Sequence, residues 1–138
     1  MKRIYLVQVL FILFFIIPNV TVGQTKLDYV KSKLMLTFPK VNVTTLDNFV
    51  TQKSKLKNAI IYHKFKEFTV KEGNENNGVI TLEGLATYNI EVMHYNPAML
   101  NKTAPSTFNY KATLKQVLDD YEVESIELLV YGSKIKIY

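Results

Sequence analysis

Val79–Tyr95 reads VITLEGLATYNIEVMHY. Its even positions are Ile80, Leu82, Gly84, Ala86, Tyr88, Ile90 and Val92, and its odd positions are mostly Thr, Glu and Asn, with Leu85 and Met93 as exceptions. A period of two is the mark of a strand with one buried and one wet face. The stretch gives the chain a sheet to build a core on. Upstream, Ala59–Lys71 is apolar, aromatic and β-branched and reads as its partner, with Glu72–Gly78 as an exposed turn. Pairing Lys71 with Val79 sets Val70 against Ile80, Phe68 against Leu82, Tyr62 against Tyr88 and Ile60 against Ile90, so that the apolar faces coincide. Gly84-Leu85 breaks the alternation, which predicts a bulge there.

Two helices are expected before this hairpin. Leu27, Val30 and Leu34 follow a Thr25-x-x-Asp28 capping signal and predict a helix over 26–36. Leu46, Phe49 and Val50 follow Thr44-Thr45-Leu46-Asp47 and predict another over 45–57. After the hairpin, 96–111 holds Pro97 and Pro105 and reads as a long surface loop. Leu114, Val117, Leu118 and Tyr121 predict a third helix over 112–122. Ile126–Tyr131, Gly132-Ser133 and Lys134–Tyr138 predict a tight terminal hairpin in which Val130 faces Ile135. The expected fold class is therefore α+β: a four-stranded, mainly antiparallel sheet with helices on one face, in the order α-α-β-β-α-β-β. From Tyr110 to Tyr138, the series Ala112-Thr113-Leu114, Val117-Leu118 and Gly132-Ser133-Lys134-Ile135 resembles the short periplasmic domains of secretins and TonB-dependent receptors. The glycine that those modules often place after the helix is replaced here by Glu122–Ser125.

The chain has 138 residues, enough for one domain. Its start has the layout of a secretory signal peptide over 1–23: basic Lys2-Arg3, apolar Ile4–Ile17, Pro18, then Thr21-Val22-Gly23. The apolar run is shorter than the about 20 residues a membrane-spanning helix needs. The expected location is secreted or periplasmic, with a single domain over 24–138. A membrane partner is expected only if the apolar segment is retained as an anchor. With no cysteine anywhere, disulfides, thiolate metal sites and lipoprotein attachment are excluded. Sequons stand at Asn42-Val43-Thr44 and Asn101-Lys102-Thr103.

Charge is uneven. Residues 24–71 carry 10 lysines against Asp28, Asp47 and Glu67, net +7, whereas 72–138 carry 5 lysines against 9 acids, net −4. No arginine follows Arg3, which argues against nucleic acid as a partner, because arginine makes the bidentate phosphate and base contacts. The Lys-rich half could bind an anionic surface weakly.

Catalytic constellations are sparse. His63 falls opposite Thr87 in the expected register, and His94 lies about 23 Å further along, on the other face. No metal or cofactor is expected. Glu67 falls opposite Glu83, a carboxylate pair suited to acid–base work. Glu67, Glu83 and His63 are therefore the candidates for a metal-independent hydrolase, the alternative reading. No serine has a nucleophile-elbow context, and no phosphate loop is present. The main reading is an exported, non-enzymatic binding or accessory protein that meets an unidentified protein partner through aromatic and apolar side chains: Tyr95, Met99, Leu100, Phe108, Tyr110, Tyr131 and Tyr138.

Overall fold

A computed structural model describes residues 20–96 and 102–138. Its elements are β1 (Val20–Thr21), α1 (Gln24–Thr37), a 3-10 turn (Phe38–Lys40), α2 (Thr44–Ser54), β2 (Ala59–Asn76), β3 (Val79–His94), β4 (Lys102–Val117), β5 (Asp120–Val130) and β6 (Ser133–Lys136). The chain is α+β, and all its strand pairs are antiparallel in sequence order. Five strands, β2 to β6, follow the helices as a meander, and two-residue β1 extends the β2 edge. The apolar run Ile4–Ile17, Met99 and Leu100 lie outside the described residues.

This corrects the four-stranded expectation and its order. Residues 112–122 form no helix: they are the end of β4, a two-residue turn and the start of β5. Helical spacing of Leu114, Val117, Leu118 and Tyr121 competed with a period of two in Phe108, Tyr110, Ala112 and Leu114. The second pattern wins because β4 lies between β3 and β5, which places its even residues on the covered face. Leu118 is then left at the turn, 90% exposed with φ 56°. The expected loop 96–111 is likewise strand from Lys102 onward. The helix–strand order behind the resemblance to secretin and TonB-receptor modules is therefore absent.

Turn chemistry sets the register. Asn77 and Gly78, both with positive φ (50° and 75°), close the β2–β3 hairpin as a two-residue turn, so that Glu72–Asn76 is strand and not loop. Tyr131 and Gly132 (φ 48° and 76°) do the same between β5 and β6. The terminal hairpin thus pairs Leu128 with Ile135, two residues from the expected register, which preserves the faces. In β2 the register shifts twice, between Phe65 and Glu67 and between Val70 and Glu72. Each extra residue, Lys66 and then Lys71, swaps the faces of β2. Ile61, His63 and Phe65 point to the covered side, then Phe68 and Val70, then Gly73 and Glu75. The bulge expected at Gly84-Leu85 is on the facing strand. Gly84 accommodates it, since a Cβ there would lie 1.9 Å from the Thr69 carbonyl oxygen.

Both helices pack on one face. Val30 and Leu34 of α1, Phe38, and Leu46 and Val50 of α2 join Ile80, Leu82, Ala86, Tyr88, Ala112, Leu114, Ile126 and Leu128 in one core. Fully burying each large aliphatic or aromatic side chain contributes roughly 1.5–3 kcal/mol. Phe38 stacks on Phe65 at 5.0 Å and meets Tyr110 edge-on at 5.3 Å. Polar clamps fix α1. Asp120 accepts from Tyr29 Oη and Lys33 Nζ, and Glu75 accepts from Lys26 Nζ at 2.9 Å and Tyr121 Oη at 3.0 Å. Lys33, then Tyr29, hold the Asp120 carboxyl down at about 2.

Edges are handled separately. Side chains of α2 cover β2, as described below. β5 reaches β4 only from Asn109, so Lys102–Phe108 has an open edge among the described residues. Gln116 N–H donates to Gly78 across β3, so alternation turns the odd positions Thr103, Pro105 and Thr107 outward. Pro105 removes the middle donor of that edge, a device that discourages strand addition.

Gly84→Ala places a methyl group on the Thr69 carbonyl, and the backbone must move. Urea denaturation is expected to show a loss of at least about 2 kcal/mol, against the few tenths typical of an exposed strand site.

Candidate functional site

Two places in the fold concentrate polar chemistry, one on each face of the sheet. On the covered face, Asp47 sits one turn into α2 and points at β2. Its Oδ1 accepts from the His63 backbone N–H at 2.9 Å and lies 2.7 Å from His63 Nδ1. One turn later, Thr51 Oγ1 accepts the Ile61 backbone N–H at 3.0 Å. Two side chains at helical spacing thus satisfy alternate donors of the β2 edge. With Asp47 as acceptor, His63 donates from Nδ1.

An aspartate-oriented imidazole is half of a nucleophile-activating unit. Here it leads nowhere accessible. The His63 side chain is wholly buried, and its Nε2 has no hydrogen-bond partner. Tyr88 meets the ring edge-on at 6.1 Å, and Phe108 packs at 5.9 Å. The Tyr88 and Tyr110 hydroxyls are also buried without partners, and burial pushes both phenols well above their ordinary pKa. His63 is a docking residue inside an aromatic core, its Nε2 buried without a hydrogen-bond partner among the described residues.

The three catalytic candidates do not meet. His63 pairs with Ile90, not Thr87, on the covered face. Glu67 pairs with Thr87 on the open face. Glu83, also on the open face, pairs with Glu72, four residues further along and roughly 13 Å away. The bulges at Lys66 and Lys71 undo the expected Glu67–Glu83 pair. His94 pairs with Ala59 and shares the covered face with His63, contrary to expectation, again about 13 Å away. Among the described residues no three His, Asp or Glu side chains form a metal-binding group.

The open face carries the second concentration. Glu72, Glu83, Lys111, Glu127 and Lys136 stand opposite one another in register, a row of charges across five strands. Beside the row, Glu83, Asn109, Lys111, Glu127, Leu129 and Lys134 line a shallow cleft of about 230 Å³. It adjoins a second hollow of about 410 Å³ at Lys71, Glu72, Gly84 and Asn109. Lys111 Nζ lies 3.8 Å from Glu83 Oε1, and both side chains are about half exposed. A pair of this kind is worth little on its own and is free to exchange partners. Thr87 and Thr107 share a hydrogen bond of 3.0 Å on the same face.

Of the expected contact residues, Tyr110 is buried in the core and Phe108 is half-buried against His63. Both are corrected from surface to interior, because the segment holding them is a strand facing the helices. Tyr131 (68% exposed) sits in the β5–β6 turn two residues beyond Leu129, and Tyr138 (50%) follows Lys134 and Lys136 along the open face. Tyr95 (69%) lies at the far end of β3, away from the cleft. The cleft residues Asn109, Lys111, Glu127, Leu129 and Lys134 carry no joint signal in the sequence, because Asn109 and Lys111 fall in the expected loop beside the expected helix, which hides their pairing with β5. The alternation of Phe108, Tyr110, Ala112 and Leu114 was the available signal.

No family model, curated protein or solved structure matches the chain.

Asp47→Ala leaves two buried donors of His63 without an acceptor. Thermal or urea denaturation is expected to show a loss of about 2–4 kcal/mol, with Asp47→Asn retaining much of the difference because it keeps an acceptor oxygen.

Proposed function

We propose that the protein is an exported, non-enzymatic binding or accessory protein of the cell envelope or extracellular space, acting through protein–protein contacts on the open face of its sheet. The observation that carries this reading is the cleft at Glu83, Asn109, Lys111, Glu127, Leu129 and Lys134 on a face that neither helix covers. Its lining alternates acid and base around Leu129, which is 46% exposed. That lining suits a polypeptide segment of mixed charge with one apolar side chain to set against the leucine. Tyr131 and Tyr138 extend the surface with amphipathic rings.

The basic-then-apolar start of the chain supports export. Val22 is buried in the core and its N–H donates to the Gly73 carbonyl, so a leader that ended before Gln24 would remove that contact. The hydrolase reading loses its main support with Glu67, Glu83 and His63 apart and on two faces.

A photo-crosslinking residue at position 129, introduced in the native host, tests the proposal. The expected result is one specific adduct outside the cytoplasm that is lost when Lys111→Glu and Glu127→Lys reverse the cleft charges. An adduct that persists through both reversals, or none at all, overturns it.

A further inference from the structure

The end of the sheet furthest from the β2–β3 turn gathers charge and apolar surface that the open-face cleft does not use. α2 stops at Ser54, and residues 55–58 turn into β2, with Lys55 and Asn58 at positive φ. The last residues of β3 close on this turn, Tyr95 N–H donating to the Asn58 carbonyl at 2.9 Å. Ile60 pairs with Met93 and Tyr62 with Glu91, while Lys102 at the start of β4 pairs with Val92. Backbone pairing therefore brings Tyr62, Met93 and Tyr95 to one end of the sheet, where the turn 55–58 adds Leu56; they are exposed by 42%, 44%, 69% and 44%.

Lysines surround them. Lys53, Lys55, Lys57, Lys64 and Lys102 are all exposed here. The carboxylates facing them are Glu91 on β3 and Asp47 on α2, the latter engaged by His63. Glu67, opposite Thr87, lies further back along β2. Acids collect at the other end of the molecule: Glu72 and Glu75 near one turn, Asp119, Asp120, Glu122 and Glu124 near another. Lys26, Lys33, Lys71 and Lys115 stand among those acids, the first two in ion pairs, so the unbalanced positive charge is at the tip that carries the exposed apolar side chains.

We propose that this tip docks the protein onto membranes containing anionic phospholipid. The lysines supply attraction to a negatively charged surface, which falls off within a Debye length, and Leu56, Met93 and Tyr95 supply shallow insertion at the headgroup level. Tyrosine suits that depth, with an apolar ring and a polar tip. Lysine, a point charge on a flexible stem, needs no fixed ligand geometry, which fits a diffuse lipid field better than the bidentate contacts of a nucleic-acid site. The tip lies about 33 Å along β3 from Glu83, so the proposal stands independently of the open-face cleft.

The test is co-sedimentation of the protein recovered from its host with two vesicle preparations, pure phosphatidylcholine and equal parts phosphatidylcholine and phosphatidylserine. The readout is the ratio of the two partition coefficients, so that a contribution of the apolar N-terminal run common to both vesicles cancels. The expected result is a ratio well above one at about 0.1 M salt that collapses at about 0.5 M. Lys55→Gln with Lys57→Gln is expected to lower the ratio about twenty-fivefold, at about fivefold per lysine. Lys40→Gln with Lys115→Gln, an equal change of net charge elsewhere, leaves it unchanged. Leu56→Ser with Tyr95→Ser lowers binding without changing its salt dependence. A ratio near one for the unaltered protein overturns the proposal. So does equal loss from both lysine pairs, or tight binding to an anionic polymer that is indifferent to Leu56 and Tyr95.

Discussion

Asp47 holds the fold together where it is most vulnerable, at the free edge of a long strand. An exposed edge offers unpaired backbone donors to any passing strand. Here Asp47 and Thr51 take the donors of His63 and Ile61, and Asp47 takes the His63 ring as well. The bonds fix α2 along β2 and commit it to one face. Leu46 and Val50 then bury against that face, and Phe38, just before α2, stacks into the ring cluster of Phe65, Phe68 and Tyr110. α1 follows, seated by Val30 and Leu34 and clamped at Asp120 and Glu75. With both helices on one side, the other side of the sheet is left uncovered among the described residues.

The division of labour between the faces follows from this. His63, Tyr88 and Tyr110 lie on the helix side, buried in the core. Charged and threonine side chains on the open side keep their mobility and their hydrogen-bonding capacity. The cleft there and the basic tip at the strand ends are separated by most of the length of β3, which gives the molecule two distinct surfaces on a rigid support.

Much of this was legible in the sequence. The spacing of Val30 and Leu34 and of Leu46 and Val50 marked both helices, although Asn42, whose side chain bonds the Thr44 amide at 2.9 Å, does the capping expected of Thr44. The alternation from Ile80 to Val92 marked β3 and its covered face correctly. What failed was register and phase. Asn77-Gly78 is a strong hairpin signal, and placing it inside a longer loop shifts every pair in β2. Two single-residue bulges cannot be read from composition, yet each reverses which side chains face the core. Gly84 was the trace of one of them, displaced to the partner strand. Leu114, Val117, Leu118 and Tyr121 fit a period of 3.6, whereas Phe108, Tyr110, Ala112 and Leu114, overlapping them at one residue, fit a period of two. Neighbouring strands, not local propensity, decided between them. The Asp47–His63 contact joins residues 16 apart in sequence and leaves no local signature.

The central claim is that Asn109–Lys115 is a strand with one face under the helices and the other open. Because the chain has no native cysteine, single cysteines can be placed at each position from 109 to 115 and their reaction with a maleimide timed in the folded protein. The account predicts fast labelling at 109, 111, 113 and 115 and strong protection at 110, 112 and 114. Protection that recurs every three to four residues, or uniform labelling, would contradict it.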